Sequence, residues 1–167
     1  MLTIRAATIE DTPVLFAMLR DSSAEQGFPD ELVVSEQDLR EDGFGAQPRF
    51  FALLAEWDAA PAGLALYYFN YSTWGSRKGL YLEDLYVGAG FRKKRIARAL
   101  LQQLARVAVQ EGCGRLQWVV HNRNSGALRL YESVGARSLR EWSLMSLKGD
   151  EIRELARGPL DETTSAP

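Results

Sequence analysis

The feature that most constrains the fold is an amphipathic helix pattern lying between two apolar strand patterns. The segment "LYLEDLYV" at residues 80–87 and the segment "RLQWVV" at residues 115–120 both read as short, apolar strands. Between them, four apolar residues recur at helical spacing: Ile96, Leu100, Leu104 and Ala108. Gly112 follows and is a natural C-terminal stop. This order predicts a β-α-β unit whose two strands are parallel, because a long crossover joins them.

The remaining segments add antiparallel strands and more helices. Strand patterns include residues 49–57 and 64–72, joined by the turn "DAAPAG", and a late strand is expected over residues 138–147. We therefore expect an α+β fold with a central mixed, mostly antiparallel sheet and helices on both faces. We expect residues 1–157 to form a single domain and the polar residues 158–167 to form a flexible tail.

Composition excludes several classes of protein. The formal net charge of -2 lacks the strong basicity of nucleic-acid-binding domains. One cysteine cannot form an intramolecular disulfide, and one histidine cannot build a metal centre, so no metal is expected. No apolar run approaches the roughly 18 residues that span a bilayer. We expect a cytoplasmic protein without a membrane or nucleic-acid partner.

The charges are segregated along the chain. Residues 21–42 contain eight acidic residues and one basic residue, whereas residues 91–98 contain five basic residues and no acid. The basic cluster falls on the turn before a helix, where free backbone N–H groups and the helix dipole favour anions. A solvated helix face and a cradle for a phosphate ligand both remain open on charge alone, whereas the net charge of -2 argues against a nucleic-acid patch.

Several motifs in order resemble the GNAT superfamily of N-acetyltransferases, which use acetyl-CoA. They are "SEQDLREDGFG", "LALYYFNYSTW", "LYLEDLYVGAGFRKKRIARALL" and "NSGALRLYESVGA". The resemblance covers roughly residues 2–148 and is greatest to the diamine (spermidine/spermine) N-acetyltransferase branch. It implies the GNAT fold, transfer of an acetyl group to a primary amine of a small cationic acceptor such as a polyamine, diamine or lysine-like amino acid, and a homodimer.

The resemblance also assigns roles to individual residues. Positions implied to bind acetyl-CoA are Leu85, Tyr86, Val87, Arg92, Lys93, Lys94, Arg95, Ile96, Ala97, Arg98 and Asn124. The first three would pair through their backbone with the pantetheine arm, and residues 92–98 form the pyrophosphate loop. Tyr131 and Glu83 are the implied catalytic residues, and Glu83, Asp84, Gln26 and Asp30 are implied to bind the amine.

The loop departs from the family pattern at Arg95, and Ala89 before it stands where a proline is common. The pattern R-x-x-G-x-G/A keeps Arg92 and accepts Ala97, but Arg95 stands where the first glycine is expected. A side chain there could crowd the phosphate, or the guanidinium could add a contact of its own. The substitution leaves a second hypothesis open, a GNAT-fold module that binds a ligand or partner and has lost catalysis.

The proposed chemistry requires a base and an acid. An alkyl ammonium has a pKa of about 10.4, so the amine must lose a proton before it attacks a thioester. Glu83 is a candidate base, and Tyr131 is a candidate acid for the departing thiolate. Because neighbours on a regular strand point to opposite faces, Glu83 and Asp84 are not expected to act as a pair.

Overall fold

The computed structural model describes residues 1–75 and 77–158. Its strands are β1 (Leu2–Ala6), β2 (Phe51–Trp57), β3 (Ala60–Ser72), β4 (Arg77–Val87) and β5 (Arg115–Gln117). Its helices are α1 (Thr12–Gln26), α2 (Glu36–Phe44), α3 (Ile96–Gln110), α4 (Ser125–Ser133) and α5 (Asp150–Arg157). Short 3-10 turns lie at Ile9–Asp11, Pro29–Glu31 and Ala89–Phe91.

The strands form one sheet in the order β1-β2-β3-β4-β5. The first three pairings are antiparallel, and β4 and β5 are parallel, as the β-α-β pattern predicts. Asp58 and Ala59 turn β2 into β3 with positive φ values of 50° and 64°, the backbone that a two-residue hairpin turn requires. The prediction of a mixed, mostly antiparallel sheet is confirmed.

Two apolar layers lie on opposite faces of this sheet. The layer under α3 contains Leu82, Leu100 and Leu104, each at most 2% exposed. The layer under α1 and α2 contains Leu15 and Leu54, each 1% exposed. Burying one such leucine contributes about 1.5–3 kcal/mol, so the two layers hold helices on both faces.

Helix ends follow from local sequence. Ser35 Oγ accepts a hydrogen bond from the backbone N–H of Asp38 at 3.1 Å, and Asp38 Oδ2 accepts one from the N–H of Ser35 at 2.8 Å. This reciprocal capping box starts α2. Gly27 ends α1 with a φ of 85°, in the left-handed region that glycine enters without steric cost.

Residues 1–134 form one compact unit, and the chain from Gly135 onward forms a second. The predicted strand over residues 138–147 is wrong, because the described part of the second unit contains α5 and irregular chain only. Alternation of apolar residues was the basis for that strand, but alternation needs a partner strand to supply its hydrogen bonds. Residues 159–167 of the predicted tail lie outside the described ranges. Among the helices of residues 1–75 and 77–158, none is long and apolar enough to cross a membrane.

Candidate active site

The central feature of the site is a stretch of β4 whose edge toward β5 is unpaired within the described ranges. Strand β5 pairs with β4 only from Gly79↔Arg115 to Tyr81↔Gln117. Beyond this point β4 runs on to Val87, and no β5 partner is present within the described ranges. The predicted strand over residues 115–120 therefore ends three residues early. Main-chain groups of Leu85, Tyr86 and Val87 lie on this free edge, where an extended ligand can add hydrogen bonds like a further strand.

Tyr131 lies in the apolar layer under α3, where β5 diverges from β4. Its ring is 4.8 Å from the ring of Trp118, the residue that follows β5, and both pack against the α3 layer. Burial raises the pKa of the Tyr131 hydroxyl, so the phenol stays protonated at neutral pH. Asn124 caps α4 by accepting a hydrogen bond from the N–H of Ala127 at 3.0 Å.

The turn from β4 to α3 carries the five cations. Arg92 donates from Nε to the carbonyl of Val87 at 3.2 Å and forms an ion pair with Glu25 of α1. Lys94 lies over the ring of Trp57, with Nζ 4.6 Å from the ring centroid. Arg98 donates to Ser133 Oγ at 3.4 Å, and Ile96 is buried at the first position of α3, directly before Ala97.

Lys93 and Arg95 hold the turn in a glycine-like backbone. Both have a φ of 62°, in the left-handed region that side chains disfavour. Arg95 thus takes a conformation that the glycine of the family pattern would adopt, and it is also the N-cap of α3. Neither side chain forms a hydrogen bond or ion pair with any residue of the described ranges. The loop therefore presents two cations with free donors.

A β-bulge corrects the expected orientation of the acidic pair. Leu66 pairs with Asp84 and Tyr67 pairs with Leu82, so Glu83 has no partner on β3. The bulge shifts the alternation of β4 by one residue. Leu80 and Leu82 before it, and Leu85 and Val87 after it, all pack in the α3 layer. Glu83 and Asp84 therefore both lie on the opposite face, and the prediction that they point apart is wrong.

Aromatic rings and two negative charges share that face. The rings of Tyr68 and Tyr81 lie 5.1 Å apart, and burial followed by the charge of Glu83 raises the pKa of both hydroxyls. Burial, with a smaller contribution from Glu83, raises the pKa of Asp84 to about 6. A carboxyl with this pKa is ionised at neutral pH, yet it is a stronger base than an ordinary aspartate.

The structure does not join the predicted acceptor residues Gln26 and Asp30 to this pair. Gln26 donates to Ser22 Oγ at 3.1 Å within α1, and Asp30 is exposed in the turn Pro29–Glu31. Within the described ranges, neither forms a hydrogen bond with Glu83 or Asp84.

Glu25 is the residue that sequence reasoning missed. It accepts a hydrogen bond from the hydroxyl of Tyr86 at 3.1 Å while it pairs with Arg92. Glu25 and Tyr86, together with Met18, Asp21 and Phe91, line a cleft of about 450 Å3 between α1 and the end of β4. The acidic run at residues 21–42 was the available signal, but nothing in it distinguished Glu25 from its neighbours.

The sheet interrupted beside its parallel pair, the basic turn and the acidic face on the same strand make this an α+β protein whose candidate site can hold an anionic and a cationic ligand together. Residues 16–136 match the model of the acetyltransferase (GNAT) family. The chain therefore belongs to the GNAT family and is an N-acetyltransferase. The described ranges contain no group of three or more His, Cys, Asp or Glu residues that could hold a metal ion.

Named relatives and a solved structure agree with this family. The thialysine N-epsilon-acetyltransferase of Sus scrofa is 37% identical over 164 residues, covering 92% of this chain and 96% of the relative. Spermidine/spermine N(1)-acetyltransferase-like protein 1 of Homo sapiens is 30% identical, covering 92% of this chain and 23% of the relative. An integron cassette protein from the mobile metagenome of V. cholerae superposes with a TM-score of 0.79 at 25% identity, over 94% of this chain and 98% of that chain.

Proposed function

We propose that the protein transfers an acetyl group from acetyl-CoA to a primary amine of a small cationic acceptor, a polyamine, a diamine or a lysine-like amino acid. The observation that carries this proposal is the free main-chain edge of β4, which lies between the cationic turn 92–98 and the carboxylates of Glu83 and Asp84. Relatives that act on thialysine or resemble spermidine/spermine enzymes support an amine acceptor.

The residues at the edge and the turn fit acetyl-CoA. Leu85, Tyr86 and Val87 offer backbone donors and acceptors to an extended amide-bearing arm. The turn offers Lys93 and Arg95, and the N-terminus of α3 adds backbone N–H groups for phosphate. Bound acetyl-CoA would supply the acetyl thioester at the inner end of this edge. Asn124, at the start of α4, is assigned to the same ligand.

The acidic face fits the amine. An ammonium group is attracted to Glu83 and Asp84, whose side chains share one face of β4. The carboxylate of Asp84 or Glu83 takes the proton from the ammonium, directly or through water, because the neutral amine is the nucleophile. The ternary arrangement needs proximity and no covalent enzyme intermediate. Tyr131 holds its proton at neutral pH and can give it to the departing thiolate.

The alternative, a GNAT module that has lost catalysis, was motivated by Arg95. The left-handed backbone at Arg95 follows the path that a glycine would take, so the substitution does not change the course of the loop. Loss of catalysis remains an outcome of the experiment below.

Calorimetric or thermal-shift binding of acetyl-CoA, followed by thiol release over a panel of amines, tests the proposal. Acetyl-CoA at 100 times its dissociation constant should raise the free energy of unfolding by about 2.7 kcal/mol. The panel contains a polyamine, a diamine and lysine, each with a matched alcohol lacking the amine as control. Binding of acetyl-CoA without thiol release for any amine would favour the alternative module, and absence of both binding and thiol release would reject the enzyme.

We also propose that the protein is cytoplasmic, in keeping with its single cysteine, and that it forms a homodimer, as the resemblance implies. Exposed apolar side chains in the second unit are consistent with an interface, because a run of them is uncommon on the surface of a monomer. They include Leu144, 78% exposed, and Met145, 85% exposed.

A further inference from the structure

The guanidinium of Arg115 lies across Gly79 on the face of β4 that also carries Glu83 and Asp84, which we call the acceptor face. Arg115, the first residue of β5, donates from Nη2 to Asn70 Oδ1 of β3 at 3.2 Å. The two side chains meet above Gly79 of β4, which lies between their strands. A Cβ at Gly79 would stand 2.4 Å from Asn70 Oδ1 and 2.9 Å from Arg115 Nε. Only glycine at this position leaves room for the guanidinium.

Strand alternation places this group on the same face as the acidic pair. Leu116 of β5, Phe69 of β3 and Leu80 of β4 pack in the α3 layer. Their neighbours Arg115, Asn70 and Gly79 therefore point to the other face, where Glu83 and Asp84 lie. The surroundings of Gly79 agree with this assignment, since a Cβ built there would meet both side chains.

The guanidinium of Arg115 makes few hydrogen bonds within the protein. Its Nε is buried without a hydrogen-bond partner in the described structure, and Nη2 makes the single contact with Asn70. A buried donor without a partner costs about 1–3 kcal/mol. The arrangement therefore costs stability within the chain while it leaves Nη donors of a fixed cation available on the acceptor face.

The face between the two ends has the length of a small acceptor. The rings of Tyr68 and Tyr81 separate the cationic end from Glu83. The four residue steps along β4 from Gly79 to Glu83 span about 13 Å. A hydrogen bond of about 3 Å at each end leaves roughly 7 Å for the acceptor. With bonds of about 1.5 Å in a zigzag, that length corresponds to about six bonds.

We propose that Arg115, held by Asn70 across Gly79, binds the carboxylate of the acceptor, so the acceptor is an α-amino acid with a terminal side-chain amine and not a polyamine. This inference rests on the proposed acetyl transfer to an amine. Six bonds separate the amine nitrogen of lysine from its carboxyl carbon, which matches the span. Arg77, two residues before Gly79 on the same face, adds a second positive charge that disfavours the distal ammonium of a diamine.

The test compares L-lysine with its decarboxylated counterpart, 1,5-diaminopentane, and with L-lysinamide, which keeps the size and loses the carboxylate charge. The wild-type enzyme should show kcat/KM for L-lysine at least tenfold above that for either analogue, because charge-assisted guanidinium–carboxylate bonds are strong. These two comparisons need no variant, so they stand even where a substitution impairs folding.

Variants then assign the discrimination to Arg115. Arg115→Gln should lower the lysine-to-diamine ratio of kcat/KM at least tenfold and leave turnover of 1,5-diaminopentane at or above the wild-type value. Arg115→Lys, which keeps the charge but lacks the fork, should give an intermediate ratio. Arg106→Gln, on the exposed face of α3, is the matched control and should leave the ratio unchanged.

The outcomes separate this inference from the proposed function. Equal or better acetylation of 1,5-diaminopentane by the wild-type enzyme overturns the carboxylate site and leaves acetyl transfer to amines intact. An equal loss for lysine and diamine in Arg115→Gln shows a structural role and also overturns it. No acetylation of any amine overturns both the inference and the proposed function.

Discussion

At the scale of single residues, burial on the two faces of β4 separates two kinds of proton chemistry. On one face, burial raises the pKa of Asp84 to about 6, in the range of a general base. On the other, burial raises the pKa of Tyr131 and keeps its hydroxyl protonated. One group is suited to accept a proton and the other to donate one, so their roles can be tested separately.

Replacing Tyr131 with phenylalanine should lower kcat by about 100-fold, the usual size of a lost general acid. The ring contact with Trp118 is kept, so acetyl-CoA affinity and thermal stability should remain close to wild type. Steady-state kinetics and calorimetric binding measure the two effects. A wild-type kcat in Tyr131→Phe would remove this residue as the acid.

Asp84→Asn should change how stability depends on pH. The folded protein holds the Asp84 proton with a pKa of about 6, against 3.8 for an ordinary aspartate. The folded state therefore binds the proton more tightly, and wild-type stability falls as pH rises from about 4 to about 6. The variant lacks this fall and should be about 1–2 kcal/mol more stable relative to wild type at pH 7 than at pH 4.

Urea unfolding at both pH values measures the Asp84 effect. Asp30→Asn, which removes an exposed carboxyl, should keep the wild-type pH dependence. If Asp84→Asn and the wild-type protein show parallel pH profiles, the carboxyl of Asp84 is not perturbed by its surroundings.

At the scale of elements, the turn between β4 and α3 places two cationic side chains on a strained, left-handed backbone. A non-glycine residue in the left-handed region costs about 1–2 kcal/mol, and the turn contains two of them, Lys93 and Arg95. Both side chains carry a cation toward the place where the proposal puts a pyrophosphate. The loop thus keeps the path of a glycine loop and differs from it in charge.

Two variants of Arg95 separate strain from charge. Arg95→Ala loses the cation and keeps the Cβ, whereas Arg95→Gly loses both. The glycine variant should be about 1 kcal/mol more stable than the alanine variant, because only glycine relieves the positive φ. Both should bind acetyl-CoA more weakly than wild type and by the same factor. Thermal unfolding and calorimetry measure these effects, and equal stabilities would show that the turn is unstrained.

Regular elements could be predicted from the sequence, and irregular ones could not. The helical spacing of Ile96, Leu100 and Leu104 predicted α3, and all three residues are buried. The bulge at Glu83 escaped prediction because a period of two assumes an uninterrupted ladder, and the extra residue depends on the register with β3. The early end of β5 was not predicted for a similar reason. Where this strand ends depends on its pairing with β4, which the composition of the segment does not show.

The site was predicted less completely than the fold. Motifs predicted the edge residues, the basic turn and Tyr131 as candidates, because such motifs follow from local order along the chain. Glu25 and Arg115 act through partners 67 and 45 residues away, Arg92 and Asn70. Such pairs depend on the tertiary fold, and no local spacing in the sequence predicts them.

At the scale of the whole molecule, opposite charges that are separated in sequence meet in the fold. The ion pair between Glu25 and Arg92 joins the acidic segment 21–42 to the basic turn. A chain with a net charge of -2 thereby presents a positive end and a negative face at one strand. This arrangement can attract a polyanionic cosubstrate and a cationic acceptor to the same site.

The predicted homodimer is a property of this same scale. Light scattering on the purified chain should give twice the mass of one chain at micromolar concentration, because the apolar side chains of the second unit favour burial. Leu144→Glu together with Met145→Glu should shift the protein toward monomer, and Val109→Glu, an exposed apolar position on α3, is the control. A wild-type monomer at all concentrations would contradict the prediction.

The bulge on β4 can arise or disappear by the insertion or deletion of a single residue. Without Glu83, the remaining order Leu80, Tyr81, Leu82, Asp84 and Leu85 alternates regularly between the two faces of the sheet. One codon therefore separates a strand with a single carboxylate on this face from a strand with two. A lineage can gain or lose the second acid in one step of insertion or deletion, and the alternation that directs Leu80, Leu82 and Leu85 toward α3 is kept.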